Sequence, residues 1–323
     1  MNQQLYDVAI IGGGPAGLSA ADWLARYLHR VILIDSGDPR NWETRSVNGF
    51  LGSPGVRPSG LRATGREQAR AHGVELVDAL CERVVCQDEE HFQLLLDDGR
   101  PVDARRVLLA IGLKDVWPDV PGLERIYGAN AHVCPDCDGW ECGGKKVVVL
   151  GKGRKAAGLA LDLTTWTDQI IICTNGAPAD LDLPEYMQKL DALNIPVLES
   201  PITCLRHDGD KLQSVEFKDG LQLDVDKIFF AIGQYPADDL GAQLGCERDS
   251  GGHIIVDDHY HTSVRNCYAA GDIVPGPQLA IAAASDGAIA ALAIHKSLVP
   301  DGRKLEALPI TTSTRASPAV AGA

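Results

Sequence analysis

The hydrophobic positions of this chain fall into short unbroken runs, and two of these runs end at a glycine-rich turn followed by an alanine-rich segment. The run at Val8–Ile11 leads into "GGGPAGLSAADWLA", and the run at Lys146–Leu150 leads into "GKGRKAAGLALDL". Strands that are buried on both faces read as continuous apolar runs, whereas alanine- and leucine-rich segments of this length are typical of helices. Further apolar runs, "RVILIDS" and "QIIIC", follow the two predicted helices. The pattern predicts an α/β fold with two Rossmann-like dinucleotide-binding units.

The turn after the first run has the glycine spacing of a dinucleotide-binding loop. Gly12 makes the turn, Gly14 lets the backbone approach a pyrophosphate, and Gly17 lets the helix pack closely against the strand. The helix amino terminus then offers N–H groups to the phosphates. Asp35 ends the next strand about 20 residues later, where an acid is placed to bind a ribose hydroxyl. The order of strand, glycines, helix, strand and acid predicts a bound dinucleotide.

A segment near the far end of the chain has related chemistry. The stretch "NCYAAGDIVPGPQLAIAAASDGAIAALAIHKSL" predicts a strand, a corner at Gly271 and Asp272, and a long helix of small residues. An acid at such a corner is placed to bind sugar hydroxyls. Its simpler interpretation is an ordinary turn or helix-capping acid.

The segment "HVCPDCDGWEC", from His132 to Cys142, contains a Cys-x-x-Cys pair formed by Cys134 and Cys137. His132, Cys134, Cys137 and Cys142 could supply four ligands to a zinc or iron–sulfur site, but structural zinc usually needs two separated pairs and no second Cys-x-x-Cys occurs in the chain. A purely structural disulfide is a weaker interpretation, because such a pair stays reducible inside cells. Asp138 follows the second cysteine and can exchange the proton that thiol chemistry requires. The residues favour a redox pair, and a metal site is the alternative.

Composition and charge narrow the class of protein. Of 323 residues, 45% are hydrophobic and 23% are charged, which is the profile of a globular protein. No apolar run reaches the roughly 18 residues that a membrane span needs, and the formal net charge of −14 argues against a nucleic-acid partner. The first residues lack a basic segment and a small-residue cleavage site, so we expect a cytoplasmic protein whose nine cysteines are mostly free thiols.

Several motifs taken together resemble those of the low-molecular-weight thioredoxin reductases. They are the glycine-rich start, the segments "LLAIG" and "FFAIG", the Cys-x-x-Cys-Asp-Gly sequence and the terminal "AAGD". The resemblance implies a three-layer ββα arrangement of two Rossmann-like dinucleotide-binding domains, with the second inserted in the first. It implies an FAD-binding domain formed by residues 1–115 and 237–323, and a pyridine-nucleotide-type domain at 116–236 that carries the cysteine pair.

The resemblance also implies roles for individual residues. Cys137 would face the flavin, Cys134 would attack the disulfide of the partner, and Asp138 would act as the general acid. The implied partner is a thioredoxin-like protein or a small-molecule disulfide or dithiol, and the implied assembly is a homodimer. The residues implied for FAD binding are Gly12, Gly14, Pro15, Ala16, Gly17, Asp35, Ser36, Asn48, Ala110, Gly112, Gly271, Asp272, Gln278 and Leu279.

The second glycine loop departs from the family pattern. Three basic residues crowd the loop at Gly151–Ala156, and the segment Cys173–Asp182 lacks the arginines that bind the 2′-phosphate of NADPH in the family. Asp180 and Asp182 occupy that segment, and no acid ends the preceding strand to favour NADH. NADPH and NADH are therefore weaker expectations than FAD.

Three functions are compatible with these features. The first is an FAD-dependent thiol–disulfide oxidoreductase that takes hydride from NAD(P)H. The second is a flavin–dithiol enzyme without NADPH, using reduced ferredoxin or a second flavin as donor, or dioxygen as the acceptor for small dithiols. The third is a non-enzymatic redox sensor or zinc-bound scaffold, which the acid beside Cys137 disfavours. The last segment, Asp301–Ala323, is rich in alanine, serine, threonine and proline and is expected to be a flexible extension.

Overall fold

A computed structural model of the chain describes residues 5–40, 42–181, 184–230 and 232–304. The strands are β1 (Leu5–Ile11), β2 (Val31–Asp35), β3 (Glu75–Asp78), β4 (Cys81–Asp88), β5 (His91–Leu96), β6 (Pro101–Leu109), β7 (Leu113–Asp115), β8 (Ala131–His132), β9 (Val147–Leu150), β10 (Ile170–Cys173), β11 (Val197–Leu198), β12 (Ile202–Asp208), β13 (Lys211–Phe217), β14 (Gln222–Asp224), β15 (Lys227–Phe230), β16 (Gln234–Pro236) and β17 (Cys267–Ala269). The helices are α1 (Pro15–Arg26), α2 (Pro58–Ala71), α3 (Leu123–Ile126), α4 (Pro135–Asp138), α5 (Gly153–Leu163), α6 (Pro184–Ala192), α7 (Leu240–Gln243) and α8 (Ala280–Leu298).

The first sheet has seven strands and takes them from both ends of the chain. Its order is β3-β2-β1-β6-β5-β4, and β17 pairs in parallel with β6. Strands β1, β2, β3 and β6 are parallel neighbours, whereas β4 and β5 add an antiparallel hairpin beside β6. Alternate residues of β1 enter two different hydrophobic clusters, with Ala9 on one face and Ile10 on the other. Both faces are therefore buried, which is why the strand reads as an unbroken apolar run.

The second sheet has five parallel strands in the order β11-β10-β9-β15-β8. Strands β12, β13 and β14 form a separate antiparallel sheet within the same stretch of chain. A short antiparallel ribbon of β7 and β16 joins the two larger units, with Asp115 opposite Gln234. The predicted fold class of two Rossmann-like units is confirmed. The domain boundaries at 115/116 and 236/237 stay a prediction.

Small residues let α8 pack directly on α1 beside the first glycine loop. A Cβ atom on Gly287 of α8 would lie 2.0 Å from the carbonyl oxygen of Ala16, so only glycine permits this approach. Gly271 precedes α8 with a φ of +81°, in the left-handed region that favours glycine. This packing brings the corner that follows β17 against the turn that follows β1.

No helix within these ranges has the length and apolar character needed to cross a membrane. Asp301–Arg303 form a single 3₁₀ turn after α8. The rest of the predicted terminal extension, residues 305–323, lies outside the described ranges, as does Asp182.

Candidate active site

A cavity of about 580 Å³ lies where the carboxyl ends of the first sheet face the Cys-x-x-Cys segment. Cavities of roughly 300–1,000 Å³ at the carboxyl ends of parallel strands are the usual ligand sites of such folds. The predicted residues that line it are Gly12, Gly14, Pro15, Ala16, Asp35, Ser36, Asn48, Ala110, Gly112, Cys134, Cys137, Asp138, Gly271, Asp272, Gln278 and Leu279. Gly17 lies under the loop instead, where an added Cβ atom would come 1.9 Å from the Gly12 carbonyl oxygen.

The first glycine loop forms an open cradle at one end of the cavity. Gly12 has a φ of +108°, and its N–H donates to the carbonyl oxygen of Ile34 at 2.8 Å. A Cβ atom on Gly12 would lie 2.2 Å from the Ala110 carbonyl oxygen, whereas a Cβ atom on Gly14 would meet no protein atom within 4 Å. The backbone at Gly14 therefore borders free space at the start of α1. A pyrophosphate fits this arrangement, because it needs close backbone approach and unblocked N–H groups.

Asp35 lies beside this loop, and two arginines already hold its carboxylate. Arg62 donates to Oδ2 through Nη2, and Arg66 Nη1 donates to the same oxygen at 2.9 Å. Arg62 also donates from Nε to the Gly13 carbonyl oxygen at 3.3 Å. Both arginines are on α2, one turn apart. No sequence pattern indicates these ion pairs, and the role of Asp35 towards a ribose stays a prediction.

Arg40 ties the far wall of the cavity together. It makes a two-bond contact with Asp115, from Nε at 2.8 Å and from Nη2 at 2.7 Å. Its Nη1 donates to Asp272 at 3.2 Å and to Gln278 at 2.7 Å. Burial alone would lower the pKa of Arg40, but its bonds to Asp115 and Asp272 raise it. Burial raises the pKa of Asp272, with Arg40 opposing the shift. Sequence analysis missed Arg40, which stands in a loop without a recognisable motif.

Cys134 and Cys137 are joined by a disulfide, with their Cα atoms 5.3 Å apart. Pro135–Asp138 form a single helical turn that begins directly after Cys134 and includes Cys137. Cys134 Sγ accepts a hydrogen bond from the Cys137 amide at 3.2 Å. Asn48 reaches across from the first unit and donates from Nδ2 to the Cys137 carbonyl oxygen at 3.1 Å. This contact holds the disulfide against the cavity that the glycine loop also lines.

The side chains that a metal site would need have other partners. Cys134 and Cys137 are bonded to each other, and Cys142 Sγ donates to the Asp138 carbonyl oxygen at 3.3 Å. Within the described ranges, no group of three or more histidine, cysteine, aspartate or glutamate side chains is arranged to hold a metal ion. Cys142 is fully buried, and burial raises its pKa to about 11, which indicates an unreactive packing residue.

Asp138 lies beside His132 in the lining of the cavity. His132 Nδ1 lies 3.3 Å from Asp138 Oδ2, and its Nε2 lies 3.2 Å from the Nζ of Lys227. His132 is in β8 and Lys227 begins β15, which pairs with it. Sequence analysis considered His132 only as a metal ligand and did not consider Lys227. The one sequence feature that points to Lys227 is a lysine at the start of a buried apolar strand.

The second glycine loop is closed by its own chain. Gly151 N–H donates to the Cys173 carbonyl oxygen at 3.0 Å. Gly12 makes the equivalent bond in the first unit, to the carbonyl oxygen of Ile34. The next glycine differs, because Gly153 N–H donates to the Ala179 carbonyl oxygen at 2.8 Å. Lys152 Nζ lies 2.7 Å from Asp180 Oδ2, and this ion pair holds the segment that contains Ala179 and Asp180 against the loop. An N–H group at the position that would meet a pyrophosphate is therefore already satisfied.

Comparison with known proteins identifies relatives along most of the chain. The model of the pyridine nucleotide-disulphide oxidoreductase family matches residues 6–287. A thioredoxin reductase of Helicobacter pylori is 30% identical over 310 residues, which are 90% of this chain and 98% of the relative. A protein of Arthroderma benhamiae described as a probable thioredoxin reductase is 31% identical over 274 residues, covering 76% of this chain and 67% of the relative. The crystal structure of a thioredoxin reductase from Streptococcus pyogenes superposes with a TM-score of 0.85 at 25% identity, covering 91% of this chain and 98% of that one.

Proposed function

Because the chain belongs to the pyridine nucleotide-disulphide oxidoreductase family, we propose that Cys134 and Cys137 carry two electrons between a bound FAD and an external disulfide. The chain is an enzyme, a thioredoxin reductase-like FAD-dependent disulfide oxidoreductase. The observation that carries the residue assignment is that the Cys134–Cys137 disulfide lines the same cavity as the open glycine loop. A ligand on that loop would therefore lie in the same cavity as the disulfide.

Each group of residues that lines the cavity would have a separate role in binding or catalysis. Gly12 and Gly14 would receive the pyrophosphate of FAD, and Asp272 would bind hydroxyl groups of its sugar chain. FAD supplies, when bound, the two-electron redox chemistry that amino-acid side chains lack. Cys134 would attack the disulfide of the partner, and Cys137 would then displace the partner and restore the internal disulfide. Asp138 would donate and accept the protons.

The partner would be a thioredoxin-like protein or a small-molecule disulfide or dithiol. Trp140 supports a protein partner, because its side chain is 82% exposed only three residues after Cys137. Exposed tryptophans are frequent centres of binding energy at protein interfaces. The net charge of −14 would disfavour ferredoxin, which is also acidic in general, unless a local basic surface receives it. We also propose a homodimer and a cytoplasmic location.

A second candidate function differs in the source of the electrons. The Gly153–Ala179 hydrogen bond and the Lys152–Asp180 ion pair favour an enzyme that does not use NAD(P)H. Such an enzyme would exchange electrons with reduced ferredoxin or a second flavin, or it would oxidise small dithiols with dioxygen as acceptor. Both candidates use the same FAD and the same cysteine pair.

The assignment of the cysteines is tested by the absorption spectrum of the oxidised flavoprotein. Cys134→Ser should leave Cys137 as a thiolate beside the flavin, and a long-wavelength charge-transfer band should appear. Cys86→Ser is the matched control, because Cys86 is an exposed cysteine in β4, and its spectrum should match that of the unaltered protein. Absence of the band in Cys134→Ser, or a protein that releases no FAD on denaturation, would contradict the proposal.

The electron source is tested by anaerobic titration with NADPH, NADH and reduced ferredoxin while the flavin absorbance is followed. If the second loop stays closed, neither nucleotide should bleach the flavin at micromolar concentration. Asp180→Ala removes the Lys152 ion pair, and any nucleotide response should increase in that variant. Rapid bleaching of the unaltered protein by NADPH would refute the second candidate and support the first.

A further inference from the structure

Lys227, His132 and Asp138 form a continuous line of polar side chains next to the Cys134–Cys137 pair. Lys227 Nζ lies 3.2 Å from His132 Nε2, and His132 Nδ1 lies 3.3 Å from Asp138 Oδ2. Lys227 Nζ also donates to the Ala129 carbonyl oxygen at 2.8 Å, which fixes its position. The imidazole ring packs against the ring of Phe229, with the ring centres 5.3 Å apart. The line therefore consists of side chains held in place by pairing and packing.

The hydrogen-bonding capacities of these groups assign the tautomer of His132. An ammonium group has N–H bonds to donate and no lone pair to accept with, so His132 Nε2 is the acceptor from Lys227. A neutral imidazole ring then carries its proton on Nδ1, the nitrogen that faces the carboxylate of Asp138. Lys227 thus donates to His132, and the protonated nitrogen of His132 lies 3.3 Å from the Asp138 carboxylate.

The burial of these groups limits how directly water can exchange protons with Asp138. The side chain of His132 is 6% exposed and that of Asp138 is 14% exposed, and both line the cavity that the FAD would fill. Because Asp138 lines the cavity, a ligand that fills it would further reduce the access of water to this carboxyl group. Lys227 is only half-buried and lies at the other end of the line.

We propose that Lys227 and His132 are a proton relay that reloads Asp138 during thiol–disulfide exchange. They are positioning residues, because they act through Asp138, the residue that directly follows Cys137. The inference rests on the proposed function of the Cys134–Cys137 pair. It adds a route by which protons travel between that pair and solvent while the cavity is filled.

The step balances in atoms and electrons. Reduction of the disulfide breaks one S–S bond, forms two S–H bonds and takes up two electrons and two protons. FAD, when bound in its reduced form, would supply both electrons and would release its two protons to solvent. After Asp138 has given its proton to a sulfur, His132 passes the Nδ1 proton to Asp138 and takes one at Nε2 from Lys227. Lys227 then regains a proton from water, and His132 is left with its proton on Nε2 instead of Nδ1. When the dithiol reduces the external disulfide and releases its protons, the same steps run in reverse and restore the original tautomer.

The test separates a relay from a merely structural contact. His132→Gln and His132→Asn retain an amide that can hydrogen bond to Lys227 or Asp138, but neither amide passes a proton from one atom to another. The FAD-loaded variants are reduced chemically without oxygen and mixed with 5,5′-dithiobis(2-nitrobenzoic acid). The release of thionitrobenzoate and the reoxidation of the flavin are followed in H₂O and in D₂O. Lys227→Met is measured beside Lys211→Met, which removes an exposed lysine from β13 of the same unit.

We expect both amide variants and Lys227→Met to turn over at least about 10-fold more slowly, within the range that general acid–base catalysis contributes, and with a larger solvent isotope effect. Lys211→Met should match the unaltered protein. If either amide variant or Lys227→Met keeps the original rate and isotope effect, the relay is wrong. If the unaltered protein fails to reduce the probe, or Cys134→Ser reduces it equally well, the proposed function itself is wrong. All variants are checked for bound FAD and for thermal unfolding before comparison.

Discussion

Arg40 offers the sharpest test of the ion-pair network that closes the cavity wall. The replacement Arg40→Met removes the guanidinium group and keeps a side chain of comparable length. Asp115 then loses a two-bond partner at 2.7 and 2.8 Å, although its side chain is only 4% exposed. Its remaining side-chain donor is the amide of Gln234 at 3.3 Å. A carboxylate in that position is poorly hydrated and carries a charge without a counter-charge.

The expected cost follows from the burial of the pair. Removing one partner of a buried ion pair typically costs about 3–5 kcal/mol, because the other charge is left uncompensated. Arg40 is 17% exposed and Asp115 keeps the Gln234 amide, so we expect the lower end, about 3 kcal/mol. A loss of this size lowers the melting temperature by roughly 4 °C in a chain of this length, because the entropy of unfolding is about 2.1 cal/mol/K per residue. Asp272 is 23% exposed and keeps contact with water, so it adds less to the cost.

The assay is urea unfolding of the flavin-free protein, followed by far-ultraviolet circular dichroism, so that ligand binding does not add to the free energy. The control is the double variant Arg40→Met/Asp115→Asn, in which both charges are absent. It should recover about 2 kcal/mol relative to Arg40→Met, because the buried charge is gone. A loss below about 1 kcal/mol in Arg40→Met, or no recovery in the double variant, would refute this account of the network.

Two further predictions concern titration and the glycine cradle. Burial raises the pKa of Asp238 to about 6, so this group contributes stability that is present below its unfolded pKa of about 4 and is lost as the pH rises through about 6. Asp238→Asn keeps an acceptor for the Leu240 amide. The variant should raise the free energy of unfolding by roughly 2 kcal/mol at pH 8 and hardly at all at pH 4. An equal gain at both pH values would contradict the raised pKa of Asp238 as its cause. Gly14→Ala should leave the flavin-free stability within about 0.5 kcal/mol, since a Cβ atom there meets nothing within 4 Å, but should weaken FAD binding at least about 10-fold in a fluorescence titration. Gly158→Ala in α5, where the added atom also meets nothing, is its control, and equal FAD affinity in both variants would show that the pyrophosphate lies elsewhere.

The parts of the site that the sequence predicted are those whose geometry is local. The need for Gly17 is local, because an added Cβ atom would lie 1.9 Å from the Gly12 carbonyl oxygen, whereas the close approach of Gly12 to Ala110 comes from the tertiary structure. The Cys134–Cys137 pair is equally local, because two cysteines at this spacing meet whenever a helical turn begins at the first one.

The parts that sequence analysis missed are contacts between distant segments. Arg40 meets Asp115 and Gln278 across 75 and 238 positions, and Lys227 meets His132 across 95. No periodicity or motif links such pairs, because their approach depends on how strands β7, β8 and β15 are placed in their sheets. The basic residues of the second glycine loop already indicated from the sequence that it is a poor site for NADPH or NADH. The closure of this loop by Ala179 was not apparent from the sequence.

The sequence by itself determined the elements and the chemical class of the site. Unbroken apolar runs specify strands buried on both faces, and the glycine and cysteine motifs specify what a short segment can bind or exchange. Only the tertiary structure decided which charges are paired, which N–H groups are left for a ligand and where protons can pass. Those properties depend on the side chains that meet after folding, since burial strengthens each electrostatic contact and makes every unpaired polar group costly.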